Sequence, residues 1–170
     1  PLAGGVRYRW DEANALLVRV EGRAPESRSE AAVFAGGNAV AIETAAGWEL
    51  AQFRSATLVG DGVWRLTGLL RGQQGTEAAG ADAGAIVVFL DQPPARVESP
   101  RAERGLPLIW RAGPAGGPAG GAVVSEVGFT ALALQERPWS PAHLRVTARS
   151  DSGLDLGWIA RARIDGDRWD

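Results

Sequence analysis

One stretch limits what this chain can fold into more than any other. Residues 48–91 read WELAQFRSATLVGDGVWRLTGLLRGQQGTEAAGADAGAIVVFLD. Three apolar, β-type runs are separated by glycine turns, and an Arg-Gly-x-x-Gly-Thr turn lies at the centre. Gly60-Asp61-Gly62 is a hairpin turn by composition, because both glycines accept the positive φ that tight hairpins demand. Residues 55–59 (S-A-T-L-V) lead into it and residues 63–70 (V-W-R-L-T-G-L-L) return from it. On the return strand Val63, Arg65 and Thr67 take one face, and Trp64, Leu66 and Gly68 take the other. Residues 85–90 (A-I-V-V-F-L) form a short, β-branched apolar run that reads as a buried strand rather than a helix.

The flanks carry weaker signals of the same kind. Residues 6–10 (V-R-Y-R-W) alternate strictly, and residues 15–20 (A-L-L-V-R-V) follow a four-residue polar break at 11–14. Together they predict a β-hairpin. Residues 31–34 are expected to form a short strand. Gly36-Gly37-Asn38 marks a turn before a further strand at 39–43. The Ala-rich stretch 77–85 could hold a helical turn, but Gly80 and Gly84 oppose a long helix. GPAGGPAGG at 113–121 is the most flexible composition in the chain and predicts an exposed loop. Strand patterns resume at 123–127 and 129–134. A Pro-rich lead-in at 137–141 precedes strands at 144–148 and 154–160. That last pattern is like the opening of a fibronectin type III-like sandwich. The expected fold is therefore all-β. A small β domain with hairpins covers 1–137, and the first strands of a fibronectin-like segment cover 138–170.

Composition removes several function classes. The chain has 170 residues, 45% of them hydrophobic, with a formal net charge of −2. All of its basic side chains are Arg, yet no basic excess marks a nucleic-acid surface. There is no Cys, which excludes disulfides and thiolate metal sites. There is no Met either, so the chain reads as a fragment of something longer. No run approaches the roughly 20 apolar residues of a membrane-spanning helix.

The turn at 71–76 is explicable without a ligand. Gly72 and Gly75 permit backbone conformations closed to other residues. Thr76 can bond locally and fix the turn. Arg71 offers a fork of donors suited to free carbonyls or a carboxylate. A phosphate cradle would need a strand–loop–helix context and a lysine, and neither is here. His143, the single histidine, has no metal-type partners at recognisable spacing. The carboxylate pairs Asp61/Glu49 and Asp151/Asp155 prove nothing in sequence. Asp165-Gly166-Asp167 reads as a turn rather than a calcium loop. Seven tryptophans (Trp10, Trp48, Trp64, Trp110, Trp139, Trp158 and Trp169) could pack in a core or an interface, or stack on sugars. Trp64 and Trp158, in apolar strands, suit the core. No catalytic, cofactor-binding or metal-binding residue is assigned, and the chain is expected not to be an enzyme.

Two ordered stretches resemble a known family. One is ELAQFRSATL at 49–58, running on to LLRGQQGTE at 69–77. The other is WSPAHL at 139–144 followed by GWIARARIDGDRW at 157–169. Together they are similar to the C-terminal part of the megatron baseplate proteins of gene transfer agents. They are more distantly similar to phage host-specificity tail-tip proteins. One departure is Asp82, where such segments often carry His. The resemblance implies a structural component of a tail tip or baseplate, in a virion or gene transfer agent particle made in the bacterial cytoplasm. It would help attachment to the recipient envelope and DNA delivery. Implied partners are other tail proteins, a homotrimer in the particle, and a cell-surface glycan or envelope receptor. Sequence-specific nucleic acid is not among them. The alternative is a carbohydrate-binding β module. Residues 139–169 are expected to contact another subunit or a further part of the protein.

Overall fold

The computed structural model describes residues 1–92, 94, 97–115 and 125–162. It is all-β. The chain forms two compact units, Pro1–Pro94 and Ala95–Asp170. The position 137/138, suggested by the Pro-rich lead-in, falls between the two hairpins of the second unit.

The first unit is one curled five-stranded sheet. Its strands are β1 (Leu16–Arg19), β2 (Ala39–Thr44), β3 (Gly47–Gly60), β4 (Val63–Gln73) and β5 (Val87–Phe89). The order is β1-β4-β3-β2-β5, and every neighbouring pair is antiparallel. The long β3–β4 hairpin turns at Gly60-Asp61-Gly62, with Gly62 at φ 68°. Along β3, Glu49, Ala51 and Phe53 alternate inward. Ala51 and Phe53 meet Leu16, Val18, Val40, Ile42, Leu66 and Leu69 in a single apolar core. Phe53 packs edge-on against Phe89, with ring centroids 6.1 Å apart. The far tip of the hairpin leaves the core, and Leu58 and Val59 are exposed.

Four local expectations are corrected. Residues 6–10 and 15–20 do not pair as a hairpin. Tyr8 adopts φ 66°, which breaks the extended run. Arg7 and Asp11 instead make isolated bridges to Arg71 and Leu69, while β1 pairs with β4. The short strand foreseen at 31–34 is α1 (Glu30–Phe34), a single helical turn. Ser29 caps it by accepting from the Ala32 N–H, and Glu30 supplies a favourable acid in the first turn. The run at 85–90 is not fully buried. β5 is an edge strand whose side chains alternate: Val87 and Phe89 pack against the core, and Ile86 and Val88 face outward. No helical turn forms at 77–85, where Ala81 bridges Leu2 instead.

The second unit holds two separate hairpins. β6 (Pro107–Ala112) pairs with β7 (Ser125–Thr130), and β8 (Trp139–Ala148) pairs with β9 (Leu154–Arg161). β8 and β9 match the strands read at 144–148 and 154–160, although β8 starts earlier; β7 is one strand where two runs were read at 123–127 and 129–134, and β6 was not read from sequence. Arg104 and Glu136 form a bidentate ion pair in this unit. Most of the glycine-rich stretch 113–121, and all of 163–170, lie outside the described residues.

The core assignment is testable. Phe53→Ala should cost about 3–5 kcal/mol in urea unfolding, since it empties a fully buried site. Leu58→Ala, at the exposed hairpin tip, should stay within about 0.5 kcal/mol. Equal costs for the two would contradict the described core.

Candidate functional site

The feature with the densest polar chemistry is the Arg-Gly-x-x-Gly-Thr turn, and it is buried. Burial along β4 runs unbroken from Gly68 to Gly72, so both faces of the strand are covered there. A bulge falls in the same stretch. Leu50 pairs with Gln73 and Gln52 with Leu70, so β4 carries one residue more than β3 between these partners. Gly72, at φ 61°, takes up the extra length in the left-handed region. Arg71 follows the core residue Leu69 by two positions and so points inward with it.

Arg71 is among the largest fully buried side chains of the molecule. Its Nε donates to Glu49 Oε1 at 2.6 Å, and its Nη2 donates to Glu49 Oε2 at 2.8 Å. Nη2 also donates to the Ala79 carbonyl at 2.8 Å. Nη1 donates to the Ala3 carbonyl at 3.2 Å and reaches Asp11 Oδ2 at 3.5 Å. All five N–H donors of a guanidinium therefore have acceptors. Glu49 Oε1 also accepts from the Gly72 N–H at 3.0 Å. Asp11 is held by Asn14, whose backbone N–H and side-chain amide both donate to it. The bidentate fork makes this the strong form of an ion pair.

The two carbonyls belong to segments that pair with each other. Leu2 and Ala81 exchange backbone bonds at 2.7 and 2.8 Å, and the Gly5 N–H donates to the Ala78 carbonyl at 3.1 Å. Arg71 thus pins both the start of the chain and the 78–81 stretch to the sheet. Gly5 fits against the Asp11 carboxylate and the Arg71 guanidinium so closely that a Cβ has no room. Thr76 closes the turn. Its hydroxyl donates to the Gln73 carbonyl at 2.7 Å and accepts from the Leu50 N–H at 3.0 Å. Gly75 sits at φ 84°. The roles expected of Gly72, Gly75 and Thr76 are therefore observed. Sequence alone offered Arg71 a carboxylate or free carbonyls, and the structure gives it both.

Other candidate residues scatter. Glu49 is buried with Arg71, whereas Asp61 lies in the exposed β3–β4 turn. Asp151 and Asp155 share Arg149, at 3.0 and 3.5 Å. His143 is exposed at a positive φ of 52°. Arg23 donates to Glu26 and holds that carboxyl below its usual range, first by the hydrogen bond and then by charge. This pair is exposed. Among the described residues no cluster of His, Asp and Glu could hold a metal ion. No helix among them is long and apolar enough to cross a membrane.

The tryptophans divide. Trp64 packs against the core. Trp158, expected in a core, is exposed on β9, and Trp139 is partly exposed on β8. Trp169 and the Asp165-Gly166-Asp167 turn lie outside the described residues.

Residues 1–88 match the family model described as Rcc01698-like, C-terminal, and the chain belongs to that family. No curated protein matches it. The matched span contains the whole Arg71 network and ends within β5.

Gly72→Ala should destabilise the chain by on the order of 1 kcal/mol or more. A Cβ there meets Arg7 Cδ at 2.6 Å and the Thr76 carbonyl oxygen at 2.9 Å, at a φ that L-residues avoid. Thermal or urea unfolding of G72A measures this. An unchanged midpoint would refute the bulge glycine.

Proposed function

We propose that the chain is a structural component of the tail tip or baseplate of a gene transfer agent or phage-like particle. In this reading it helps the particle attach to the recipient envelope and deliver DNA, and it works in a homotrimer beside other tail proteins. Two lines support the reading. The family takes its name from a gene-transfer-agent-related protein. The ordered 49–77 and 139–169 stretches also resemble megatron and tail-tip proteins.

The observation that carries the reading is the β8–β9 hairpin. Val146 pairs with Leu156 and Ala148 with Leu154, so these side chains share one face. Leu144 and Trp158 extend that face by two-residue steps. The opposite face carries Arg145, Thr147 and Asp155. Leu144, Val146, Leu154, Leu156 and Trp158 are all exposed. A two-stranded ribbon has no core of its own, and a contiguous apolar face of this kind marks an interaction surface. An assembly subunit needs such a face, whereas a monomeric binding module does not.

The Arg71 turn supports the same reading by its closure. Its charged groups are spent on one another and on backbone carbonyls, which leaves a rigid scaffold rather than a reactive centre.

The test uses particles from a producing host. An antibody against the first unit should decorate the tail tip in negative stain. Leu156→Arg should leave the unfolding midpoint of the chain unchanged, because the side chain is exposed. It should also remove the chain from assembled particles. Particles that lack the chain altogether, or that incorporate L156R normally, would contradict the proposal.

A further inference from the structure

We propose that Trp10, Phe34, Arg54, Glu12 and Glu30 form a binding site for a neutral pyranose sugar. The site lies on the first unit and does not depend on the tail-tip reading. Glu30 and Phe34 stand four residues apart on α1 and so share its outer side. Val33, between them, is fully buried and anchors the turn. Trp10 and Phe34 pack against each other with ring centroids 5.5 Å apart and planes tilted by 46°, which leaves the outer face of Phe34 to solvent. Arg54, on β3, lies over the Trp10 ring at 5.2 Å. It donates to Glu30 at 2.8 Å and to Glu12 at 3.0 and 3.3 Å.

The cluster is held in place before any ligand arrives. Gln52 Nε2 donates to the Val33 carbonyl at 2.6 Å and to the Gly37 carbonyl at 2.9 Å, fixing the end of α1. Asn38 Nδ2 ties the following turn to Glu26 and Phe53 at 2.8 and 3.1 Å. Phe34 is nevertheless 66% exposed on this fixed support. A stabilising role would bury it. The ion pairs around it are solvent-exposed, and such pairs add little to folding.

The chemistry selects the ligand. The C–H face of a pyranose is apolar and weakly positive, and it stacks on a π-face. Hydroxyls at the sugar's rim donate to carboxylates, which are strong acceptors. Both carboxylates are more than half exposed and can accept them. Arg54 is already committed to Glu12 and Glu30, so the cluster carries two negative charges against one positive. That balance repels uronic acids and other anionic sugars and leaves neutral hexoses.

Calorimetric titration of the whole chain with neutral malto-, cello- and galacto-oligosaccharides, and with polygalacturonate, tests this. At least one neutral oligosaccharide should bind, and polygalacturonate should bind more weakly. Phe34→Ala should weaken the neutral ligand by roughly tenfold or more, and Phe34→Tyr should keep it. Glu30→Gln should weaken it, with only the small drop in unfolding midpoint that loss of a first-turn acid brings. The site is refuted if no neutral oligosaccharide binds at millimolar concentration. It is equally refuted if F34A binds as the parent does, or if polygalacturonate is preferred. Loss of sugar binding with intact particle incorporation separates this site from the assembly face.

Discussion

The first unit is organised around a buried guanidinium. Burying an isolated charge is prohibitive, and a buried pair is tolerated only with excellent geometry and further hydrogen bonds. Arg71 meets both conditions through the Glu49 fork, the Asp11 carboxylate and two backbone carbonyls. Each partner comes from a different part of the chain. Glu49 is on β3, Asp11 bridges to β4, and the carbonyls of Ala3 and Ala79 sit in paired non-strand segments. Removing any one of them leaves a buried polar group unmet. The network therefore specifies one arrangement of segments that a purely apolar core would hold less selectively.

The bulge at Gly72 links this electrostatic centre to the sheet. Arg71 turns under the strand on the same face as Leu69, and at the bulge the Gly72 N–H also reaches the Glu49 carboxylate. Local backbone chemistry and long-range ion pairing thus agree at one position. Sequences that fold cleanly show such agreement between levels. The second unit contrasts with this. Its hairpins expose apolar side chains on β6, β7, β8 and β9. Ile109, Phe129, Leu144 and Leu156 are available to another surface rather than to a core. The first unit is internally satisfied, whereas the ribbons of the second carry an unused apolar face.

Much of the sheet was legible in the sequence, because its signals are local. Gly60-Asp61-Gly62 names its own hairpin, alternation marks β2 and β4, and the turn glycines demand positive φ. Errors arose where long-range partners decide. The V-R-Y-R-W run alternates like a strand, yet Arg7 and Asp11 find bridges some sixty residues away in β4. The stretch 31–34 has no helical period of its own. Ser29, followed directly by an acid, was the overlooked cap signal. β5 looked buried because its apolar run is continuous, and only strand order reveals an edge. The Glu49–Arg71 partnership was invisible for the same reason: a carboxylate twenty-two residues away is one acceptor among many until the register is known.

A double-mutant cycle on this pair tests the central claim most directly. Glu49→Gln, Arg71→Gln and the double variant would be compared with the parent by urea unfolding. Each single change should cost about 3–5 kcal/mol, because it strands a buried partner. The double change should cost clearly less than the sum, with a coupling of about 2–3 kcal/mol. If the two single costs add within about 0.5 kcal/mol, the pair does not act as a unit and the first unit is not organised around it.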